Sequence, residues 1–158
     1  MPLEFVTGSI FERDTQLLVC PVNTYGVAGA GLALEFKKRY PSQVDQYRKI
    51  CRAGMLRPGQ IFVNPETMND DTIIVFAATK EDWKENSKSQ WISDCLEGIN
   101  IFLIDHQNIT TASIPALGCG LGRLSWKHIK QKMPMHLEGC LRSNPGLTIL
   151  AFEPVKAT

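Results

Sequence analysis

Two glycine clusters carry the most legible chemistry in this chain. Asn23-Thr24-Tyr25-Gly26-Val27-Ala28-Gly29-Ala30-Gly31 lies ahead of a helix-like run, and Gly118-Cys119-Gly120-Leu121-Gly122 directly follows a strand-like run. Glycine admits positive φ and close approach of backbone to a ligand, and the N–H groups exposed where a loop meets a helix favour phosphate oxygens. Either cluster alone reads as a turn. Two, each with a strand before it and a helix after it, read as a pocket for a nucleotide diphosphate. Gly29 and Gly31 begin a dinucleotide fingerprint, but its third glycine position falls on Leu34 and the loop is too long for the tight turn, which argues against a nicotinamide dehydrogenase. No Gly-Lys-Ser/Thr occurs, so a P-loop is excluded.

Among reactive side chains, Lys80 stands out because it follows an apolar strand-like run, at residues 72–77, through Ala78-Thr79. A lysine amine is nucleophilic only when deprotonated, and partial burial in a ligand crevice lowers its pKa toward neutrality. The alternative is a solvated charge, since Lys80, Lys84 and Lys88 recur at intervals of four with Glu81, Asp82 and Glu85 between them. Asn23, at the end of another strand-like run, has an amide able to fix sugar hydroxyls, or to cap a turn. Cys119 could be a thiolate at a helix N-terminus, but no histidine neighbours it, and a small side chain packed under the loop is the simpler reading. His106, His128 and His136 are scattered and suggest no metal site, and no cofactor is called for. The stretch around Trp83, Lys84, Lys88 and Trp91 has residue types that stack bases and meet phosphates, or forms a solvated loop with Trp91 in the core.

These groups need elements to hold them. Short Val- and Ile-rich runs at residues 3–7, 16–22, 60–64, 72–77, 111–117 and 147–152 read as strands. Helical spacing occupies residues 31–40, stopped by Pro41, then 42–53, stopped by Gly54, 89–106 and 125–141. Pro134 is expected to split the last of these. Strands alternating with helices predict an α/β fold whose mostly parallel sheet is covered on both faces, with ligands at the carboxyl ends of the strands. At 158 residues and 44% hydrophobic content, one domain is expected. A formal net charge of +1 supplies no global field toward nucleic acid or membrane. The five cysteines, odd in number and without a C-x-x-C pair, read as reduced thiols of a cytoplasmic protein. The first residues do not read as a signal peptide, and no apolar run has the roughly eighteen residues of a membrane span.

Together these residues resemble the macro domain family of ADP-ribose-binding and ADP-ribose-hydrolysing proteins. The resemblance runs from Phe5-Val6-Thr7-Gly8 to the final strand. It is strongest to the branch containing DarG-type DNA ADP-ribosyl glycohydrolases and terminal ADP-ribose glycohydrolases, through Val22-Asn23-Thr24, the run from Gly29 to Lys38, Arg57-Pro58-Gly59, Thr79-Lys80 and the second glycine loop. It implies a single macro domain over residues 1–158, a three-layer α/β/α fold with a mixed, mostly parallel central sheet. It also implies Lys80 and Asn23 as catalytic residues, and ADP-ribose contacts at Gly8, Ser9, Ile10, Thr24, Gly29, Gly31, Leu32, Ala33, Thr79, Pro115, Leu117, Gly118, Cys119, Gly120, Leu121 and Gly122.

Two departures carry weight. Many macro domains have an adenine-reading aspartate where this chain has Ser9, so adenine selectivity must rest elsewhere. The protein-ester-cleaving side of the branch has a catalytic aspartate where this chain has Gly122, whereas the DNA-directed side has glycine. The resemblance therefore implies a hydrolase of the N-glycosidic bond between ADP-ribose and a thymine base of single-stranded DNA, with an antitoxin-like role. DarG-type antitoxins carry a further toxin-binding domain, so a free-standing monomeric hydrolase is expected. Glycosidases of the common kind use paired carboxylates, and no such pair is evident here, Glu35 reading as a surface helix residue. The alternatives are a non-catalytic ADP-ribose reader and an ADP-ribose 1″-phosphate phosphatase.

Overall fold

A computed structural model describes residues 2–120 and 122–154. Its six strands are β1 (Leu3–Val6), β2 (Leu17–Asn23), β3 (Ile61–Val63), β4 (Ile73–Lys80), β5 (Thr111–Ile114) and β6 (Thr148–Phe152). The helices are α1 (Gly31–Arg39), α2 (Pro41–Arg52), α3 (Ser89–Asp105) and α4 (Trp126–Ser143), with short 3-10 turns at Ile10–Glu12 and Pro65–Thr67. The strands form one sheet in the order β1-β6-β5-β2-β4-β3. Only β3 runs antiparallel to its neighbour, so the sheet is mixed and mostly parallel.

Alternation along the central strands sends side chains to two cores. On β4, Ile73, Val75 and Ala77 face one way, joined by Ile92, Leu96 and Ile99 of α3 and Met133 and Leu137 of α4. Ile74, Phe76 and Ala78 face the other way, onto Phe36 of α1 and Val44 and Tyr47 of α2. The period of two on the strand thus meets an apolar helix stripe on each face. Tyr47 stacks on Phe76 with ring centroids 5.2 Å apart.

Where the elements differ from the sequence reading, the reason is local. Pro41 does not merely stop a helix; it is the first residue of α2, where a missing N–H costs nothing because that group has no intrahelical acceptor. Pro134 does not split α4, which runs through it. Losing one helical hydrogen bond and gaining a ring clash costs about 3 kcal/mol. Ile129, Met133, Leu137 and Cys140, buried along one face, together exceed that at about 1.5–3 kcal/mol for a large apolar side chain. The run at 111–117 is strand only to Ile114, because Pro115 follows with no N–H to give and a turn closes from Ala116 to Cys119. β4, by contrast, extends past the apolar run to Lys80.

The feature that makes room for a ligand is the parting of β2 from β5. β2 pairs with β4 along its whole length, but with β5 only at Leu17 and Leu18. Pro21, with no N–H to give, occupies β2 beyond that point. From β2 the chain goes on toward β4 and β3, and from β5 toward β6, so these strands flank the position where the strand order reverses. In open α/β sheets that position is where ligands enter, at the carboxyl ends.

Candidate functional site

A cavity of about 810 Å³ opens at this split, within the range of roughly 300–1,000 Å³ usual for small-molecule sites. Of the residues singled out from the sequence, Gly8, Ser9, Ile10, Asn23, Gly29, Gly31, Leu32, Ala33, Thr79, Lys80, Pro115, Gly118, Cys119, Gly120 and Gly122 line it. Thr24 and Leu117 do not: Thr24 binds the backbone of the facing loop, and Leu117 is buried in the core beneath the turn. Leu121 lies outside the described residues. The sequence reading overlooked Pro21, Val22, Val27, Ala30, Ala116, Phe152, Glu153 and Pro154 as lining, and Trp83, read there as a base-stacking residue, lines the cavity too. Phe152 ends the last strand and Glu153 and Pro154 follow it, and the carboxyl-end rule applied there would have found them.

On one wall the first glycine loop runs into α1. Its N-cap, Ala30, has no side chain to satisfy the helix's first donors, and Gly31 adopts φ 58°. The N–H groups of Gly31, Leu32 and Ala33 precede the first intrahelical bond, from Leu34 N–H to Ala30 O, and so face the cavity with the positive end of the helix dipole. That is a site for phosphate oxygens. The opposite wall is the second glycine loop. Gly118 has φ 75°, and a Cβ there would approach Ile92 Cδ1 and Leu124 Cδ1 to 2.8 Å. At Gly122 a Cβ would collide with Ser87 Oγ and lie 2.6 Å from Gly118 O. Gly120, in contrast, faces open space.

Between the walls, Asn23 and Lys80 stand opposite each other. β2 and β4 keep regular register to Val22 and Ala78, then shift, so that Asn23 partners Lys80 and Thr79 is the extra residue. Such a bulge re-aims the side chains beyond it. Lys80 is only 8% exposed, and its Nζ donates to Trp83 O at 3.3 Å. Burial lowers its pKa below the usual lysine value, as does the Arg123 charge, while Asp82 opposes both. Asn23 is equally deep, but its amide is largely engaged. Oδ1 accepts from Gly26 N–H at 2.9 Å and Val27 N–H at 3.1 Å, and Nδ2 donates to Val27 O at 2.9 Å. Tyr47 OH donates to Asn23 O at 2.5 Å. Asn23 therefore organises the loop, and one Nδ2 hydrogen is left for a ligand.

Other candidates lose their chemistry here. The Cys119 thiol lines the cavity, but burial pushes its pKa up to about 11, so it is a thiol near neutral pH. Glu35 points to solvent beside Lys38. Glu153 is the one carboxylate on the described lining, and it is tied to Lys130 Nζ at 2.7 Å. Among the described residues, no group of three or more His, Cys, Asp or Glu could hold a metal ion. Ser9 caps the 3-10 turn by accepting from Phe11 N–H at 3.2 Å.

Comparison with known proteins agrees with this arrangement. The DNA ADP-ribosyl glycohydrolase of Thermus aquaticus is 32% identical over 155 residues, 98% of this chain and 42% of that protein. The enzyme of the same description from Mycobacterium tuberculosis is 34% identical over 132 residues, 83% of this chain and 37% of that protein. The chain thus spans about two fifths of the length of these relatives. Among solved structures, the macrodomain of Thermus aquaticus DarG superposes with a TM-score of 0.84 at 31% identity, covering 96% of this chain and 98% of that one. Thermosipho africanus DarTG in complex with ADP-ribose gives 0.82 at 26% identity, covering 99% of this chain and 42% of that one. The macro domain family model matches residues 19–133, from the centre of β2 into α4. With the split sheet, the two glycine walls and this match over most of its length, the chain belongs to the macro domain family.

Proposed function

We propose that the cavity binds ADP-ribose and that the chain is a glycohydrolase removing ADP-ribose from thymine bases of single-stranded DNA. The observation that carries this reading is the pairing of Lys80 with Asn23 at the carboxyl ends of β4 and β2, between two walls suited to a diphosphate. No second carboxylate is available on the described lining for ordinary glycosidase chemistry. The chemistry falls to the lysine. As the N-glycosidic bond breaks, positive charge develops at the anomeric carbon, which an ammonium would repel and a neutral amine would attack. The lowered pKa of Lys80 makes the neutral form more accessible. In this scheme the amine adds to the anomeric carbon, its proton goes to the departing base, and water then releases the sugar. Asn23 positions a sugar hydroxyl through its remaining amide hydrogen.

Gly122 supports a DNA rather than a protein-ester substrate, because there is no room for the carboxylate that the ester-cleaving relatives carry. Faster release of ADP-ribose from modified glutamate than from modified thymidine DNA would overturn that preference. The free thiols suit a reducing compartment, and we place the protein in the cytoplasm as a monomer. The bond from Lys80 Nζ to Trp83 O favours one rival, a non-catalytic reader in which the lysine is structural. Lys80→Ala decides between them. We expect ADP-ribose affinity largely unchanged by calorimetry and DNA de-ADP-ribosylation slowed at least about a hundredfold. Turnover at the parent rate would favour the reader or another catalytic group.

A further inference from the structure

Two large aromatic side chains stand in solvent beside the catalytic strand ends. Tyr25 is 67% exposed and Trp83 50% exposed. Leaving such rings in water forgoes the stabilisation that burying them would give, so their exposure adds nothing to the fold. Scattered exposed apolar residues need no explanation, but these two are not scattered. Tyr25 follows Asn23 by two residues and Trp83 follows Lys80 by three, on adjacent strands.

The two segments are also bonded to each other. Thr24 N–H donates to Lys80 O and Tyr25 N–H to Glu81 O, both at 3.0 Å. The Trp83 carbonyl accepts from Lys80 Nζ. Lys84 Nζ sits 5.2 Å from the Trp83 ring centre, on one face. Trp83 also reaches the cavity wall, while Tyr25 stands outside the lining. Trp83 therefore stands on the cavity wall and Tyr25 on the segment bonded beside it, both next to the strand ends where whatever is attached to the sugar at Lys80 must leave the cavity.

We propose that Tyr25 and Trp83 form a stacking lip that holds the nucleobases flanking the modified base of a single-stranded DNA substrate. This rests on the glycohydrolase reading above and adds how the strand, rather than the ADP-ribose, is recognised. Every base offers a π-face, so the grip tolerates sequence and is worth roughly 1–3 kcal/mol per stacked base. Charge contributes little, because Lys80, Lys84 and Lys88 are matched by Glu81, Asp82 and Glu85. The strand's advantage therefore depends weakly on salt, unlike a grip built from phosphate contacts.

The test is equilibrium binding in the Lys80→Ala background, where the loss of turnover allows a steady reading. Four probes are compared: free ADP-ribose, ADP-ribose on a lone thymidine, ADP-ribose on the central thymidine of a single-stranded nonamer, and ADP-ribose on glutamate in a peptide. We expect the nonamer to bind more tightly than the lone thymidine conjugate. Tyr25→Ala and Trp83→Ala should each cut that ratio by roughly 5- to 150-fold, the fold-change equivalent of one stacked base. Tyr25→Phe and Trp83→Phe should keep most of it, and Tyr25→Ala should leave affinity for free ADP-ribose unchanged. Unchanged nonamer affinity in the double alanine variant would overturn the proposal. So would an equal fall for the peptide, or for the lone thymidine conjugate. If the native protein fails to hydrolyse the nonamer while the ring-dependent advantage persists, the glycohydrolase reading fails and the stacking lip stands.

Discussion

In the loop after β2, a buried asparagine binds Gly26 and Val27 and is itself held by Tyr47, so the chain is shaped by hydrogen bonds. In the loop after β5, a Cβ at Gly118 or Gly122 would overlap neighbouring atoms, so the chain is shaped by lack of room. Both loops face one cavity, and both look alike in the sequence as clusters of glycine. The difference teaches that glycine can mark a loop for opposite reasons. In the first loop the glycines permit a turn that a polar side chain enforces; in the second, two of them are the only residues the packing admits. Gly120 breaks the pattern by facing open space.

The sharpest way to separate these reasons is Gly120→Glu. A carboxylate there would fill the cavity and repel a diphosphate without disturbing any packed atom. We expect ADP-ribose affinity to fall at least about a thousandfold, equivalent to more than about 4 kcal/mol, with an unchanged melting temperature. Calorimetry showing parent affinity would remove the second loop from the site. Gly118→Ala should do the reverse, harming the fold first. Left-handed backbone costs a non-glycine residue about 1–2 kcal/mol and overpacking about 1–3 kcal/mol, so a loss near 3 kcal/mol is expected. At about 2–4 °C per kcal/mol for a domain of this size, melting should drop by roughly 6–12 °C. A thermally neutral variant would break the contrast between the loops.

For the first loop, Asn23→Ala removes the acceptor for two backbone donors and should cost about 2 kcal/mol, read by denaturant unfolding. Tyr47→Phe removes only the hydroxyl bonded to Asn23 O and should cost about 1 kcal/mol. If Asn23→Ala leaves stability untouched but abolishes turnover, the amide serves chemistry and not the turn.

The smallest effect concerns the pH profile. A lysine whose pKa is lowered on folding binds its proton less well in the native state. Its stabilising contribution is therefore full above the unfolded pKa and is lost as pH falls through the folded one. By the same sign, turnover should rise with pH through a midpoint below the ordinary lysine value. Arg123→Gln, deleting a repelling cation, should move that midpoint up, and Asp82→Asn should move it down. Midpoints unmoved by either change would mean that the profile reports another group.

Much of this arrangement was legible in the sequence because it rests on local patterns. The alternation of Val- and Ile-rich runs with helical spacing placed all six strands and four helices within a few residues. The glycine clusters fell at strand carboxyl ends because each directly follows such a run. Lys80 was legible as a residue near a strand end but not as a strand residue, since lysine scores as polar and its place in β4 depends on pairing opposite Asn23 of a strand distant in sequence. The hydrogen bonds of Asn23 were equally hidden, because Tyr47 comes from a helix twenty-four residues away. Pro134 misled because its local cost is read easily, whereas the burial that outweighs it depends on α3.

The sequence by itself therefore determined the elements, their alternation and the chemical types at the strand ends, since propensity, periodicity and turn chemistry act over a few residues. Tertiary structure alone decided where β2 parts from β5 and the register shift that sets Asn23 against Lys80. Those features depend on which strands become neighbours and how far they pair. Such choices are settled by packing between residues distant along the chain, which no local window contains.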